Sequence, residues 1–296
     1  MQRLLEKINY VLLGSRTCVS VKNPNEIINE INEKYNSGEK VYSFISNVFL
    51  KGKNTYNWHL SPFGLIWQKG NIFRDKFKGQ GMYSLRHIIE NLIDKKVKSD
   101  KIKEILHSYL INVKPEQILP FEHFYIEQNL VYCINNGQIK HQEIYIQEEP
   151  DGLGFYIIWD GVSRVATHQL VRHQSFDFQQ QSQRYIDYSK RQGQLTGFYI
   201  PPSIHEKPQE EYYYILFNKE AYNSYRILVD KQHIKPEDAR FYLPCSFTSR
   251  IFMFVPKKRI YGRDGIKEFI EKRKYHSQEE IKNFALKLEE ILRKYY

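Results

Sequence analysis

Cysteine is scarce in this chain of 296 residues, and the three cysteines present lie far apart. Cys18, Cys133 and Cys245 form no C-x-x-C pair, and an odd number does not suit a disulfide framework. We therefore expect reduced thiols in a cytoplasmic protein. His168 and His173 do not suggest a metal site either, because a spacing of five residues does not place two side chains on one helical face.

Long hydrophobic runs are also missing. No apolar stretch approaches the roughly 18 residues that a membrane-spanning helix needs. Residues 1–20 lack a long apolar region followed by a small-residue cleavage site. We therefore expect neither insertion into a membrane nor secretion.

Negative charge is in deficit, and the formal net charge of +10 favours a polyanionic ligand. Charge alone does not separate a nucleotide from a nucleic acid. No RNA-binding or helix-turn-helix signature accompanies the excess of lysine and arginine, and the 23 tyrosines fit core and helix packing better than a base-stacking surface. We therefore expect no nucleic-acid partner.

Hydrophobic periodicity predicts one α+β domain spanning 1–296 with an extra N-terminal portion. Period-two patterning between about Phe124 and Trp159 predicts two or three strands, with turns at Asn135–Gly137 and Pro150–Gly152. Helical spacing or capping signals predict the helices, which are Asn25–Tyr35, a hairpin over Tyr83–Leu110, Ser163–His173, Gln209–Lys231, a helix beginning at Pro236, and a last helix opened by a capping box at Ser277–Glu280.

The most informative segment runs from Arg172 to residue 185 and reads R-H-Q-S-F-D-F-Q-Q-Q-S-Q-R-Y. It is rich in Arg, Ser and Gln and poor in Lys, a composition that suits planar hydrogen bonding to a phosphate or a base. Helical spacing puts Gln169, Arg172 and His173 on one face at the end of the predicted helix Ser163–His173. The alternative interpretation is a solvated loop with incidental arginines.

This segment resembles the signature of the flavin-dependent thymidylate synthases, R-H-R-x-x-S-x-N-x-x-S-x-R-Y, and matches it at Arg172, His173, Ser182, Arg184 and Tyr185. Three further segments resemble the same family in the correct order. They are Pro120–His123, which is similar to its flavin segment, Ala239–Thr248, and Phe269–Ile281. The resemblance covers about residues 117 to 295 and implies an α+β fold with an antiparallel or mixed sheet packed with helices. Relative to the family, about 64–116 is interpreted as a helical insertion and about 124–152 as a strand insertion.

The resemblance implies FAD-dependent methylation of deoxyuridylate to thymidylate, with NADPH as reductant and methylenetetrahydrofolate as carbon donor. It also implies a homotetramer whose active sites are shared between subunits. Arg273 occupies the position of the arginine that activates the uracil ring. Deoxyuridylate binding is implied for Gln169, Arg172, Gln180, Gln181, Ser182, Gln183, Arg184 and Arg240. FAD binding is implied for Glu122, Arg172, His173, Gln174, Arg263 and His276.

Several positions depart from the family pattern. Gln174 stands where the family has arginine, and Gln117 and Tyr261 replace two further flavin contacts. The flavin segment itself has two candidates, Leu119–His123 and His59–Phe63. These departures motivate a second hypothesis, in which the protein is a family relative that binds a nucleotide but has lost or changed the flavin chemistry.

Overall fold

The computed structural model divides into two compact units. The first comprises Met1–Arg16 and Asn25–Leu119, and the second comprises Thr17–Pro24 and Pro120–Tyr296. The single-domain interpretation and its two insertions stay predictions. The residues that the structure describes are 9–10, 13–14, 17, 20, 22–43, 104, 107–108, 111–112, 114–150, 152, 154–173, 176–184, 186–189, 195–258 and 265–295.

Helix α1 (Pro24–Lys34), which belongs to the first unit from Asn25 onwards, confirms the helix predicted at Asn25–Tyr35. Its inward positions, Ile27 and Ile31 among them, are almost fully buried. Asn32 fixes the chain beside α1, because its side chain donates to the Ile118 carbonyl at 2.9 Å and accepts from the Ile118 amide at 2.7 Å. Most of the predicted hairpin Tyr83–Leu110 lies outside the described residues.

The second unit is built on a six-stranded sheet whose pairings are all antiparallel. The strands lie in the order β4-β6-β3-β2-β1-β5. Their bounds are β1 (Glu122–Cys133), β2 (Gln138–Glu148), β3 (Gly154–Ser163), β4 (Asp177–Gln180), β5 (Gly197–Ile200) and β6 (Thr248–Pro256). This sheet confirms the predicted strands between residues 124 and 159 and, with the helices packed on it, the α+β class.

Of the helices of this unit, the sequence predicts those that begin at Arg164, Pro208, Pro236 and Glu279, but not those that begin at Pro202 and Ile266. Proline opens three of them, at Pro202, Pro208 and Pro236, where its missing N–H is not needed. Their bounds are α2 (Arg164–Leu170), α3 (Pro202–His205), α4 (Pro208–Arg226) with a π turn at Ile227–Lys231, α5 (Pro236–Ala239) with a 3-10 turn at Arg240–Tyr242, α6 (Ile266–Arg273) and α7 (Glu279–Leu292).

One face of the sheet packs on α2, α6 and α7 to form the main core. Trp159 of β3 is fully buried, and its ring stacks on Phe284 of α7 with the centroids 4.0 Å apart. Around this pair the core is completed by aliphatic side chains of β2, β3 and β6. Burial of one large aromatic side chain contributes on the order of 2–3 kcal/mol, so this stack attaches α7 firmly to the sheet.

The capping box predicted at Ser277–Glu280 is wrong. Helix α7 begins at Glu279 with Gln278 at its N-cap and no side-chain cap, and the Ser277 hydroxyl donates instead to the Arg273 carbonyl. Glu280 is fully buried and accepts from the Ser163 amide at 2.8 Å and the Ser163 hydroxyl at 2.5 Å. A buried carboxylate requires donors, and the tertiary partner supplies them better than the local helix end does.

Candidate active site

Helix α2 leads the chain from the central strand β3 into the polar segment. Ser163 is its N-cap, and the hydroxyl accepts from the Ala166 amide at 3.0 Å. The helix ends at Leu170 and not at His173 as predicted, so Arg172 and His173 lie just beyond it. Arg172 is exposed, and Gln169 is half-buried.

His173 and Arg273 meet although they are 100 residues apart, with Arg273 Nε 2.7 Å from His173 Nε2. An arginine Nε can only donate, so the imidazole Nε2 must be the acceptor. The rings of Phe176 and Phe269 pack against His173, at centroid distances of 5.6 and 4.8 Å. Burial lowers the pKa of Arg273 from its ordinary value, but a guanidinium remains charged. The structure therefore brings the predicted catalytic arginine to the signature histidine.

Arg184 and Arg240 converge on a single residue, Glu237, which lies in the first turn of α5. Arg184 approaches the Glu237 carboxylate with Nε at 3.4 Å and Nη2 at 3.2 Å. Arg240 donates from Nε to the Glu237 carbonyl at 3.0 Å and lies over the Phe241 ring. Two predicted phosphate ligands thus flank one acidic residue that no sequence motif singled out.

The glutamines of the signature have different environments. Gln180 donates to the Thr167 hydroxyl of α2 at 2.6 Å, and Gln183 is half-buried. Gln181 is fully buried, and its side chain donates to the Ser20 carbonyl at 2.9 Å and accepts from the Tyr188 hydroxyl. A nucleotide could reach this amide only after those bonds break, so the surroundings of Gln181 suit a structural role.

Ser182 lies at the start of the turn that presents Arg184. Its hydroxyl accepts from the Arg184 amide at 3.2 Å, and its carbonyl accepts from the Ile186 amide at 3.2 Å. Tyr188, four residues beyond Arg184, is fully buried. The turn is therefore fixed at its two ends and exposes Arg184 between them.

The predicted flavin residues are less concentrated. Glu122 is exposed at the start of β1, and its carboxylate accepts from Lys294 Nζ at 2.5 Å and the Tyr295 hydroxyl at 3.4 Å. His276 is exposed in the turn after α6. Gln174, Arg263 and the alternative flavin segment His59–Phe63 lie outside the described residues.

Two further properties concern only the described part of the chain. Within it, no three His, Cys, Asp or Glu side chains are grouped so that they could hold a metal ion. No helix among the described residues has the length and apolar character required to cross a membrane.

The C-terminal half of the chain is similar to one family of known proteins. Residues 153–296, from just before β3 to the end of the chain, match the family model described as "Thymidylate synthase complementing protein". The similar curated proteins are flavin-dependent thymidylate synthases. This part of the chain is thus similar to the flavin-dependent thymidylate synthases.

Two relatives illustrate the extent of the similarity. The flavin-dependent thymidylate synthase of Geobacter sulfurreducens is 31% identical over 108 residues, which are 36% of this chain and 45% of that protein. The enzyme of Pyrococcus abyssi is 36% identical over 138 residues, 46% of this chain and 53% of the relative. The chain thus spans about half the length of the curated relatives it matches. A solved flavin-dependent thymidylate synthase from Helicobacter pylori, complexed with FAD and dUMP, aligns with 18% identity and a TM-score of 0.37, covering 52% of this chain and 69% of that one.

Proposed function

We propose that this protein methylates deoxyuridylate reductively to thymidylate, with FAD as cofactor, NADPH as reductant and methylenetetrahydrofolate as carbon donor. The observation that carries the proposal is the bond between Arg273 Nε and His173 Nε2 at 2.7 Å. These side chains belong to separate sequence segments that resemble the same family, and they meet in one place. If the two segments resembled the family only by chance, there would be no reason for these side chains to meet in the folded chain.

The phosphate of deoxyuridylate is assigned to Arg184 and Arg240. In the structure an anion already lies against Arg184, because the Glu237 carboxylate is 3.2 Å from its Nη2 atom. This carboxylate is a stand-in for a phosphate oxygen, and planar guanidinium groups are well suited to such a ligand. The remaining contacts to the nucleotide are assigned to Gln169, Arg172, Gln180, Ser182 and Gln183.

Arg273 is assigned to the uracil ring. Its Nε is used by His173, which leaves the two terminal nitrogens to donate toward a carbonyl oxygen of the uracil ring. A guanidinium held beside a carbonyl stabilises the negative charge that develops there when the ring is activated. His173 fixes the plane of the guanidinium before the substrate binds, so little reorganisation is needed during the reaction.

FAD is assigned to Arg172 and His173, with support from Glu122, Gln174, Arg263 and His276. The donor set fits a dinucleotide, because the exposed Arg172 guanidinium suits a phosphate and a carboxylate suits hydroxyl or ring N–H donors. When bound, FAD supplies the hydride that completes the methyl group.

The proposal is tested with purified protein under anaerobic conditions. The protein should be yellow or become yellow when FAD is added, and NADPH should bleach the flavin absorbance. Deoxyuridylate labelled with tritium at C5 should then release tritium only when flavin and methylenetetrahydrofolate are both present. If the protein stays colourless after reconstitution with FAD and releases no tritium, the proposed enzymatic activity is ruled out.

A second candidate is a family relative that binds deoxyuridylate without flavin chemistry. The observation that favours it is the position of Glu122, whose carboxylate is bonded to Lys294 and Tyr295 and so is engaged by the protein itself. Titration calorimetry separates the two candidates. Binding of deoxyuridylate with no binding of FAD supports the second, whereas binding of both supports the first.

We also propose a homotetramer in the cytoplasm with active sites shared between subunits. Large aromatic side chains are exposed on α4 and after α5, with Phe217 71% and Phe241 83% exposed, and such surfaces are typical of subunit interfaces. The odd number and wide spacing of Cys18, Cys133 and Cys245 support a reducing compartment. Light scattering coupled to size exclusion measures the mass, and a monomer that is fully active would contradict the shared site.

A further inference from the structure

A cluster of buried tyrosines includes close chain neighbours of the two arginines assigned to the phosphate. Tyr188, three residues after the signature segment, and Tyr222 and Tyr225 of α4 are at most 4% exposed. They pack together with Phe247, whose ring is 5.1 Å from that of Tyr188 and 5.7 Å from that of Tyr222. We call these four residues the tyrosine cluster.

The tyrosine cluster is joined by hydroxyl bonds as well as by packing. The Tyr188 amide donates to the Tyr225 hydroxyl at 3.1 Å, and the Tyr222 hydroxyl donates to the Tyr188 carbonyl at 3.0 Å. Both backbone groups of one loop residue are therefore held by two side chains from the same helix. Burial raises the pKa of Tyr225, so its hydroxyl remains neutral even at a pH where an exposed tyrosine ionises.

The same cluster touches the attachment points of both arginines. Ile186, two residues after Arg184, belongs to this patch of buried side chains, and so does Ala239, the residue immediately before Arg240. Helix α4 is thus a common base for the loop that carries Arg184 and for the helix that leads to Arg240. A shift of Tyr188 would move one arginine relative to the other.

We propose that Tyr222 and Tyr225 are positioning residues that set the separation of Arg184 and Arg240 for a nucleotide 5′-phosphate. This inference rests on the proposed function, because it takes the two arginines as the phosphate ligands. The alternative is ordinary core packing, for which phenylalanine would serve as well as tyrosine. The hydroxyl bonds distinguish the two, because losing one leaves a buried backbone group of Tyr188 without its partner.

The test compares Tyr222→Phe, Tyr225→Phe and the double variant with the wild type. Each change removes one oxygen atom and keeps the ring. Tyr213→Phe is the matched control, because Tyr213 lies on the same helix but is 49% exposed. Unlabelled deoxyuridylate and unlabelled deoxyuridine are each used to displace labelled deoxyuridylate from the whole chain. The affinity for deoxyuridylate divided by the affinity for deoxyuridine isolates the contribution of the phosphate.

The double variant should lower this ratio roughly fivefold to tenfold, the net effect of about one hydrogen bond, while deoxyuridine binds as in the wild type. Tyr213→Phe should leave the ratio unchanged. If the variants weaken both ligands equally, or neither, the tyrosines only pack and the positioning role is overturned. If the wild type binds deoxyuridine with the same affinity as deoxyuridylate, the protein has no phosphate site. That result would contradict the proposed function and not only the positioning role.

Discussion

Replacement of Arg273 by alanine is the most direct perturbation of the proposed site. The side chain is half-buried and donates from Nε to His173 at 2.7 Å. Removing it takes away a stabiliser of developing charge, and such a loss typically costs about 10²–10³ in rate. Flavin absorbance should remain nearly unchanged, because Arg273 is assigned to the uracil ring and not to FAD.

Arg273→Lys should restore little turnover, and the geometry of the site gives the reason. Arg273 uses Nε for the histidine and has two further nitrogens for the substrate, whereas an ammonium group is a single point of charge. The hydrogen bond from the charged Arg273 guanidinium to His173 contributes roughly 1.5–3 kcal/mol. If this bond serves only to orient the guanidinium, its loss should slow the reaction by about 10-fold to 150-fold. His173→Ala should therefore be slow as well.

The assay is tritium release from C5-labelled deoxyuridylate under saturating substrates, with Lys267→Ala of the exposed face of α6 as the control. With FAD also saturating, so that the flavin contact assigned to His173 does not limit the rate, His173 should affect the uracil ring only through Arg273, and the double variant should be no slower than Arg273→Ala alone. Wild-type turnover in Arg273→Ala would refute the assignment. Additive losses in the double variant would refute the orienting role of His173.

Two other predictions concern acidic residues. Glu237→Gln should bind deoxyuridylate more tightly, by up to about fivefold in calorimetry. The reason is that the exposed ion pair between Glu237 and Arg184 must break before the phosphate binds, and such a pair contributes at most roughly 1 kcal/mol. Unchanged or weaker affinity would contradict this prediction. Burial raises the pKa of Glu280, so its contribution to stability is complete below the ordinary carboxyl pKa and is lost as pH rises through the raised value. The melting temperature of the wild type minus that of Glu280→Gln should therefore fall as pH rises through that window, and a flat difference would contradict it.

The elements with a clear period were predictable from the sequence, and those set by long-range partners were not. Alternating polarity placed β1 and β2, the tyrosine-rich segment Gln209–Lys231 placed α4, and proline at a first helical turn placed α5. The capping box at Ser277–Glu280 failed because Glu280 bonds to Ser163, 117 residues away. Local pattern cannot show that a glutamate prefers a distant serine, since the choice depends on burial in the folded core.

In the candidate site, too, local sequence patterns were recognisable, and residues placed by long-range contacts were not. The signature and the C-terminal arginine were recognisable, but Glu237 was not, because its contact with Arg184 spans 53 residues. Tyr213 and Tyr222 lie on one tyrosine-rich helix, yet one is half exposed and the other almost fully buried. With aromatic residues on both faces of α4, the hydrophobic pattern contains little contrast from which the buried tyrosines could be chosen.

The β1–β2 hairpin lies before the part of the chain that matches the family, yet it is bound closely to that part. Ile144 of β2 lies in the main core, and Gln142 donates to the Gly161 carbonyl at 2.8 Å and to Glu280 at 2.6 Å. The Gln142 side-chain oxygen also accepts from the Trp159 indole N–H at 2.9 Å. Without β2, the buried Glu280 and Trp159 would each lose a partner at the junction where β3 turns into α2. The hairpin therefore supports the helix that presents His173, and it belongs to the structural core of the second unit.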